Sequence, residues 1–251
     1  MGRFETDPEC ILQREFVNIP AWHKAGHTGK GLTVFCDDVQ KNHHAELVKN
    51  IVQTILPEAR VLSGAIGYAW QNTDSVESIK RVIVDCAVRC TETAETMHFD
   101  DFVKKYEVSL INNSTDGGSG TEILPQAVYM NQKIRKHNLI FCGAAGNGYG
   151  QPTTQKYNGA CMVVTSVKLE EGKPVYGLKA HGENLDFSMF YGFQSGTSNS
   201  SPFLLGMAGL LRCRWPEITQ EEAYAYLKEH CIPLGPRRKF GWGVPVLGEP
   251  Q

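Results

Sequence analysis

The 251-residue chain has no run of eighteen apolar residues, which excludes a membrane-spanning helix. Its opening, MGRFETDPECILQREF, lacks the apolar centre of a secretory signal, so a cytoplasmic location is expected. Gly2 and Thr6 fit the loose myristoylation pattern, which is too short to be specific. Charge of one sign is scarce: 25 Lys and Arg against 27 Asp and Glu leave a net charge of −2, and no nucleic-acid partner is expected. Paired cysteine spacing is missing as well. Cys10, Cys36, Cys86, Cys90, Cys142, Cys161, Cys213 and Cys231 read as reduced thiols serving as small core residues. Repeats, linkers and low-complexity tracts are absent, so one domain is expected over 1–251, with 1–28 as an N-terminal extension packed on it.

What is present is an alternation of strand and helix patterns. LTVFCDD is a short apolar run that stops at two acids, and HHAELVKNIVQTILPEA places Leu47, Val48, Ile51, Val52, Ile55 and Leu56 at helical spacing before Pro57. ARVLSGAIGYA reads as a second strand. DSVESIKRVIVDCAVRC reads as a helix capped by Asp74 or Ser75, with Val76, Ile79, Val82, Ile83 and Cys86 on one face. On that reading Cys86 and Cys90 lie one turn apart, as semi-buried helix residues or as a pair sharing a metal. EVSLINNS is a strand, ILPQAVYMNQKIRKHN a helix, and LIFCGAAGN a strand entering a glycine-rich turn. The alternation predicts an α/β fold, a mostly parallel sheet with helices on both faces. Further on, LEEGKP signals a hairpin. A last helix starts at Thr219, where TQEE forms a capping box between Thr219 and Glu222.

The stretch FQSGTSNSSPFLLGMAGLL crowds five hydroxyls between Ser195 and Ser201, directly before Pro202 and an apolar helix. Hydroxyls cap helix starts, and the electropositive start of a helix also suits a nucleophilic serine. In parallel sheets ligands bind beyond the carboxyl ends of the strands, where Asp37 and Asp38, Asn112 to Asp116, Gly146 with Asn147, and Ser198 all fall. A serine nucleophile needs a base and a group that orients the base, and Asp37, His44 and Ser198 are candidates. The α/β-hydrolase arrangement does not fit, because residue 200 is Ser rather than Gly and no Asp follows Ser198 in the required order.

Taken together, TVFCDD, the helix starting at His44, FCGAAGNG and SGTSNSSP resemble the subtilisin-like serine peptidases. That family has a strand-end Asp, an H-G-T-H-V-A-G helix, an A-A-G-N turn and a G-T-S-x-x-x-P motif. The resemblance runs from GHTGKGLTVFCDD through FGWGVPV and implies a three-layer subtilisin-like fold. It implies Ser198 as nucleophile, His44 as general base and acid, Asp37 as the orienting carboxylate, and Asn147 as oxyanion donor with the Ser198 backbone N–H. NNSTDGG resembles the strand that pairs with an extended peptide substrate, so Asn113, Ser114, Thr115, Asp116 and Gly117 are expected to bind its backbone. Ala144, Ala145 and Gly146 would line the pocket for the residue before the cut. No cofactor and no calcium site is expected. A peptide or protein substrate is, and a regulatory partner is a candidate.

The departures from the family pattern are specific. Ala45, Glu46 and Leu47 follow His44 where the family has G-T-H, and His43 is the alternative base. Asp38 is the rival of Asp37, which occupies the strand-end position. His44 follows Asp37 by only seven positions where relatives usually insert a long segment. Seven residues reach about 23 Å at full extension, so the connection is sterically feasible. Leu204 and Leu205 replace smaller residues behind Ser198. The start of the chain, so near its first structural element, reads as an intracellular or mature form of restricted specificity. A binding module without activity is the alternative, supported by the eroded histidine motif. A metal site from Cys36, Asp37, Asp38, His43 and His44 is a third reading, although no recognised zinc spacing is present. His23, His27, His98, His137, His181 and His230 read as surface or satisfied core residues.

Overall fold

A computed structural model describes residues 3–38, 43–73, 80–115, 123–148, 151–153, 155–177, 180–192 and 196–250. Three short helices open the chain: α1 (Arg3–Thr6), α2 (Pro8–Phe16) and α3 (Ile19–Lys24). The first strand, β1 (Thr33–Asp37), precedes α4 (His43–Ile55) and a long hairpin of β2 (Arg60–Thr73) and β3 (Lys80–Cys90). β4 (Thr96–His98) runs into α5 (Phe99–Tyr106), followed by β5 (Val108–Asn113), α6 (Pro125–His137) and β6 (Ile140–Ala144). β7 (Met162–Glu170), β8 (Lys173–Tyr176) and β9 (Phe187–Phe190) complete the main sheet. α7 (Thr197–Arg214), α8 (Gln220–Glu229) and the pair β10 (Cys231–Ile232) and β11 (Val244–Pro245), with α9 (Arg237–Phe240) between them, close the chain.

The main sheet has nine strands in the order β4-β3-β2-β1-β5-β6-β7-β8, with β9 also paired to β7. β1 pairs in parallel with β2 and β5, β6 with β5 and β7, and β9 with β7. The antiparallel pairs lie toward the edges. The expected mostly parallel α/β sheet is therefore present. Side chains alternate between two cores, as strand geometry requires. Val34, Cys36, Ile140, Cys142, Met162 and Val164 face α4 and α7, whereas Phe35, Phe141 and Val163 face α5 and α6. Both faces are covered, so β1 and β6 are buried along their whole length.

Local signals explain most of the elements. Leu47, Val48, Ile51, Val52 and Ile55 are all buried on one side of α4. The hairpin at LEEGKP turns through Glu171 and Gly172, both at positive φ (48° and 74°), as a two-residue hairpin turn requires. At α8 both halves of the capping box form, with the Thr219 hydroxyl accepting from the Glu222 N–H.

Two elements depart from the sequence reading. The helix expected over 74–90 is a strand from Lys80 onward, and residues 74–79, with Asp74, Ser75, Val76 and Ile79, lie outside the described residues. Cys86, Val88 and Cys90 are buried while Arg89 is exposed, a period of two. The β-branched run Val82, Ile83, Val84 and Val88 suits a strand, and the partner edge of β2 decides between the two periods. In a strand, Cys86 and Cys90 stand about 13 Å apart along the chain, too far to share a metal. The second departure is α5, an additional helix whose apolar residues Phe99, Phe102, Val103 and Tyr106 are buried.

The N-terminal helices are tied to two distant segments. The Gln13 side chain accepts from the Gly192 N–H (3.0 Å) and donates to the Gly192 carbonyl (3.5 Å). Phe4 packs edge-on against Phe203. Near the other end, the Leu247 N–H donates to the Val17 carbonyl (3.2 Å), Trp22 Nε1 to the Gly248 carbonyl (2.8 Å) and Asn18 Nδ2 to the Leu247 carbonyl (3.1 Å). Among the described residues no helix is long and apolar enough to cross a membrane.

Candidate active site

Parallel strands share one direction, so β1, β5 and β6 end on the same edge of the sheet. Asp37 is paired with Asn113, and Asn113 with Gly143. Helices α4 and α7 bring their N-termini to that edge. They run side by side in the same direction, Ile55 meeting Gly206 and Leu56 meeting Gly209. Gly206 permits this approach, because a Cβ there would come within 2.8 Å of the Ile55 side chain.

The parity of β1 separates the two acids. Cys36 faces α4 and α7, Phe35 and Asp37 face the opposite core, and Asp38 returns to the α4 side. His44 Nδ1 lies 2.6 Å from Asp38 Oδ2. Asp38 is 6% exposed, and its N–H is held by the Gly64 carbonyl at 2.8 Å. Asp37 is engaged elsewhere and is 1% exposed. It accepts from the Ile66 N–H (3.0 Å), Asn113 Nδ2 (2.7 Å) and the Tyr157 hydroxyl (3.3 Å), with Lys156 Nζ at 3.7 Å. The Tyr157 hydroxyl in turn accepts from the Tyr68 hydroxyl at 2.7 Å. The expectation that Asp37 orients His44 is thus corrected: the carboxylate on the imidazole is that of Asp38, because the neighbouring side chain points through the sheet.

The same parity disperses the donors of the metal reading. Cys36 is fully buried, and desolvation pushes its thiol far above the ordinary range. His43 is exposed at the helix start. Among the described residues no group of three or more His, Cys, Asp or Glu side chains is placed to hold a metal ion.

Ser198 lies in the first turn of α7, an 18-residue helix buried along nearly all its length. A Cβ placed on Gly196 would lie 3.3 Å from Ser198 Oγ and 3.8 Å from Asn147 Oδ1, so the two side chains flank the same point. Asn147 Oδ1 accepts from the Thr197 N–H at 3.0 Å. The same oxygen is 3.4 Å from Thr197 Oγ1. Gly146 is held by its N–H to Thr197 Oγ1 at 3.1 Å.

The other hydroxyls around Ser198 do not cap the helix, as the sequence reading expected; the N-cap is Gly196 and has no side-chain cap. Ser200 and Ser201 bind β7 and β5 instead. Ser200 Oγ meets Ser166 Oγ at 3.0 Å, and Ser201 Oγ donates to Asn112 Oδ1 at 2.7 Å. Asn112 Nδ2 donates to Ser114 Oγ, and Ser114 Oγ to the Ser198 carbonyl, each at 2.7 Å. Pro202 explains the last bond. Having no N–H, it cannot take the Ser198 carbonyl in the helical ladder, and the orphaned acceptor is met by Ser114.

The residues expected to bind substrate divide. Asp116 and Gly117 lie outside the described residues. Thr115 is half-buried at the end of β5, while Asn113 and Ser114 are buried and use their side chains inside the protein. Gly146 is buried too, and Ala144 and Ala145 have no exposed surface. The expected pocket lining by Ala144 and Ala145 is therefore corrected, since both belong to the core. Beneath them lies Gln155, which the sequence reading did not single out. It is 1% exposed, and its Nε2 donates to the Ala144 carbonyl at 2.9 Å and to Asn113 Oδ1 at 3.4 Å.

No protein-family model and no curated protein matches this sequence. Solved structures do match in fold. A protease from Pseudoalteromonas arctica superposes with a TM-score of 0.62 at 14% identity, over 96% of each chain. MycP1 with its N-terminal propeptide removed gives 0.63 at 15% identity, over 95% of this chain and 96% of that one. The prenylagaramide maturation protease PagA gives 0.60 at 15% identity, over 91% and 95%. The α/β architecture with its mostly parallel nine-stranded sheet is thus shared with structures of proteases across nearly the whole chain. On that architecture the chain places a carboxylate-held imidazole, a serine hydroxyl at an electropositive helix end and the Asn147 side chain along one sheet edge.

Proposed function

We propose that the protein is a subtilisin-like serine endopeptidase. Ser198 Oγ attacks the scissile carbonyl. His44 takes the serine proton through Nε2 and returns it to the leaving amine. Asp38 orients the ring by accepting from Nδ1–H and stabilises the imidazolium formed in attack. Asn147 Nδ2 and the Ser198 backbone N–H receive the developing oxyanion; such a side-chain donor is worth about 10²–10³ in turnover, a magnitude the general rule takes from subtilisin itself. Water then repeats the attack on the acyl-enzyme. The substrate is a peptide lying extended along the continuation of β5 at Thr115.

The observation that carries this reading is the 2.6 Å contact of His44 Nδ1 with Asp38, on the sheet edge that also holds Ser198 and Asn147. With Nδ1 turned to the carboxylate, the mechanism assigns proton transfer to Nε2. The test is intact-mass analysis after reaction with an alkyl fluorophosphonate, in which Ser198 Oγ displaces fluoride from phosphorus. One adduct on wild type and none on Ser198→Ala is expected. No adduct on folded wild type would sink the enzyme reading and leave a peptide-binding module on a peptidase fold.

A further inference from the structure

On the serine-peptidase reading the substrate side chain just before the cut would meet the ends of β5 and β6, where a buried amide bridges the two strands. On that reading a carbonyl held between Ser198 and Asn147 would lie near the ends of β5 and β6. Asn147 follows β6 by three residues, and Ser114, the first residue beyond β5, holds the Ser198 carbonyl. An extended peptide running along β5 would then turn the side chain of its carbonyl residue toward these two strand ends. At that level Asn113 is paired with Gly143.

The space beneath belongs to Gln155. Its Nε2 spans the two strands, donating to Ala144 O at 2.9 Å on β6 and to Asn113 Oδ1 at 3.4 Å on β5. Its Oε1 accepts from the Tyr157 N–H at 3.1 Å, so both ends of the amide are fixed. The packing around it leaves no slack. A Cβ on Gly143 would lie 2.7 Å from Gln155 Nε2 and 2.7 Å from Cys161 Sγ. Thr153 and Tyr157 on either side are fully buried. Displacing Gln155 would strip the Ala144 carbonyl of its partner inside the protein, which makes the plug costly to move.

We infer that Gln155 closes this pocket and restricts the enzyme to substrates with glycine, alanine or serine before the scissile bond. The inference rests on the serine-peptidase reading and names its substrate class. A large side chain at this place meets an amide that is hydrogen-bonded at both ends, whereas a methyl or hydroxymethyl group needs no room below the strand ends.

The test compares two tripeptidyl diphenyl phosphonates that differ only in the reacting residue, alanine or phenylalanine, with the alkyl fluorophosphonate as the probe of serine reactivity alone. In each reaction Ser198 Oγ bonds to phosphorus and expels phenoxide or fluoride. On wild type the alanine probe should label about 100-fold faster than the phenylalanine probe, the scale at which pockets discriminate by size. Gln155→Ala should raise the phenylalanine rate about tenfold or more relative to the fluorophosphonate rate of the same variant. Equal labelling of wild type by both peptidyl probes would overturn the inference and leave the serine mechanism standing. Absence of labelling by all three would overturn the serine mechanism and this inference with it. The wild-type comparison decides the matter even if the variant fails to fold.

Discussion

At the scale of single residues, adjacent carboxylates divide the labour because a strand sends neighbours to opposite faces. Asp38→Asn should cost about 10⁴ in kcat, since an amide at that point no longer fixes the working tautomer of His44; the steady-state rate on a cleaved peptide measures it. Asp37→Asn should act on the fold instead. It sets an NH₂ group against the Ile66 and Asn113 donors, and about 1–3 kcal/mol of stability should be lost, read from the urea midpoint, with serine labelling of the folded protein retained. The wrong choice between these acids was avoidable in principle. Cys36 is an apolar-side residue of β1, α4 carries the apolar face that covers it, and counting by twos from Cys36 leads to Asp38. Ser198, His44 and Asn147 stood out because their motifs are short and local. Gln155 carried no such signal, since its partners are main-chain and side-chain groups eleven and forty-two residues away.

At the scale of elements, the helices and parallel strands of the core were legible where apolar spacing, proline and capping residues agreed, as in α4 and α8. The β2–β3 hairpin was not, because Val82, Ile83 and Cys86 satisfy a helical period as well as a strand, and only pairing with β2 separates them. Nor was the role of α2, whose contact with Gly192 spans 179 positions. That contact holds the backbone four residues before Gly196, at the approach to the nucleophile. Gln13→Ala should therefore slow fluorophosphonate labelling of Ser198, by up to about 10² for a displacement of ~1 Å. A Gln13→Ala protein that labels at the wild-type rate would show that α2 is only packing.

At the scale of the whole molecule, Asp186 joins elements that are far apart in the chain. It accepts from the Val163 N–H of β7 (2.8 Å) and the Tyr224 hydroxyl of α8 (3.1 Å). Burial raises its pKa from 3.8 to about 6, against the pull of those bonds and of Arg237. The folded protein then holds a proton that the unfolded chain releases between about pH 4 and 6, so this group's contribution to stability falls as pH rises through that window. Asp186→Asn should remove that fall, seen as a flatter difference in Tm between pH 4 and 7. The molecule is also closed on itself, since Val17, Asn18 and Trp22 hold Leu247 and Gly248. Tension applied between Arg3 and Pro250 would meet the α2 anchorage at Gly192 and then this clasp, both outside the nine-stranded sheet. Release of α2 frees Gly192, which lies shortly before Ser198 in the chain. On the serine-peptidase reading, tension that frees α2 would slow the serine while the sheet was still whole, which makes the N-terminal helices a mechanical fuse.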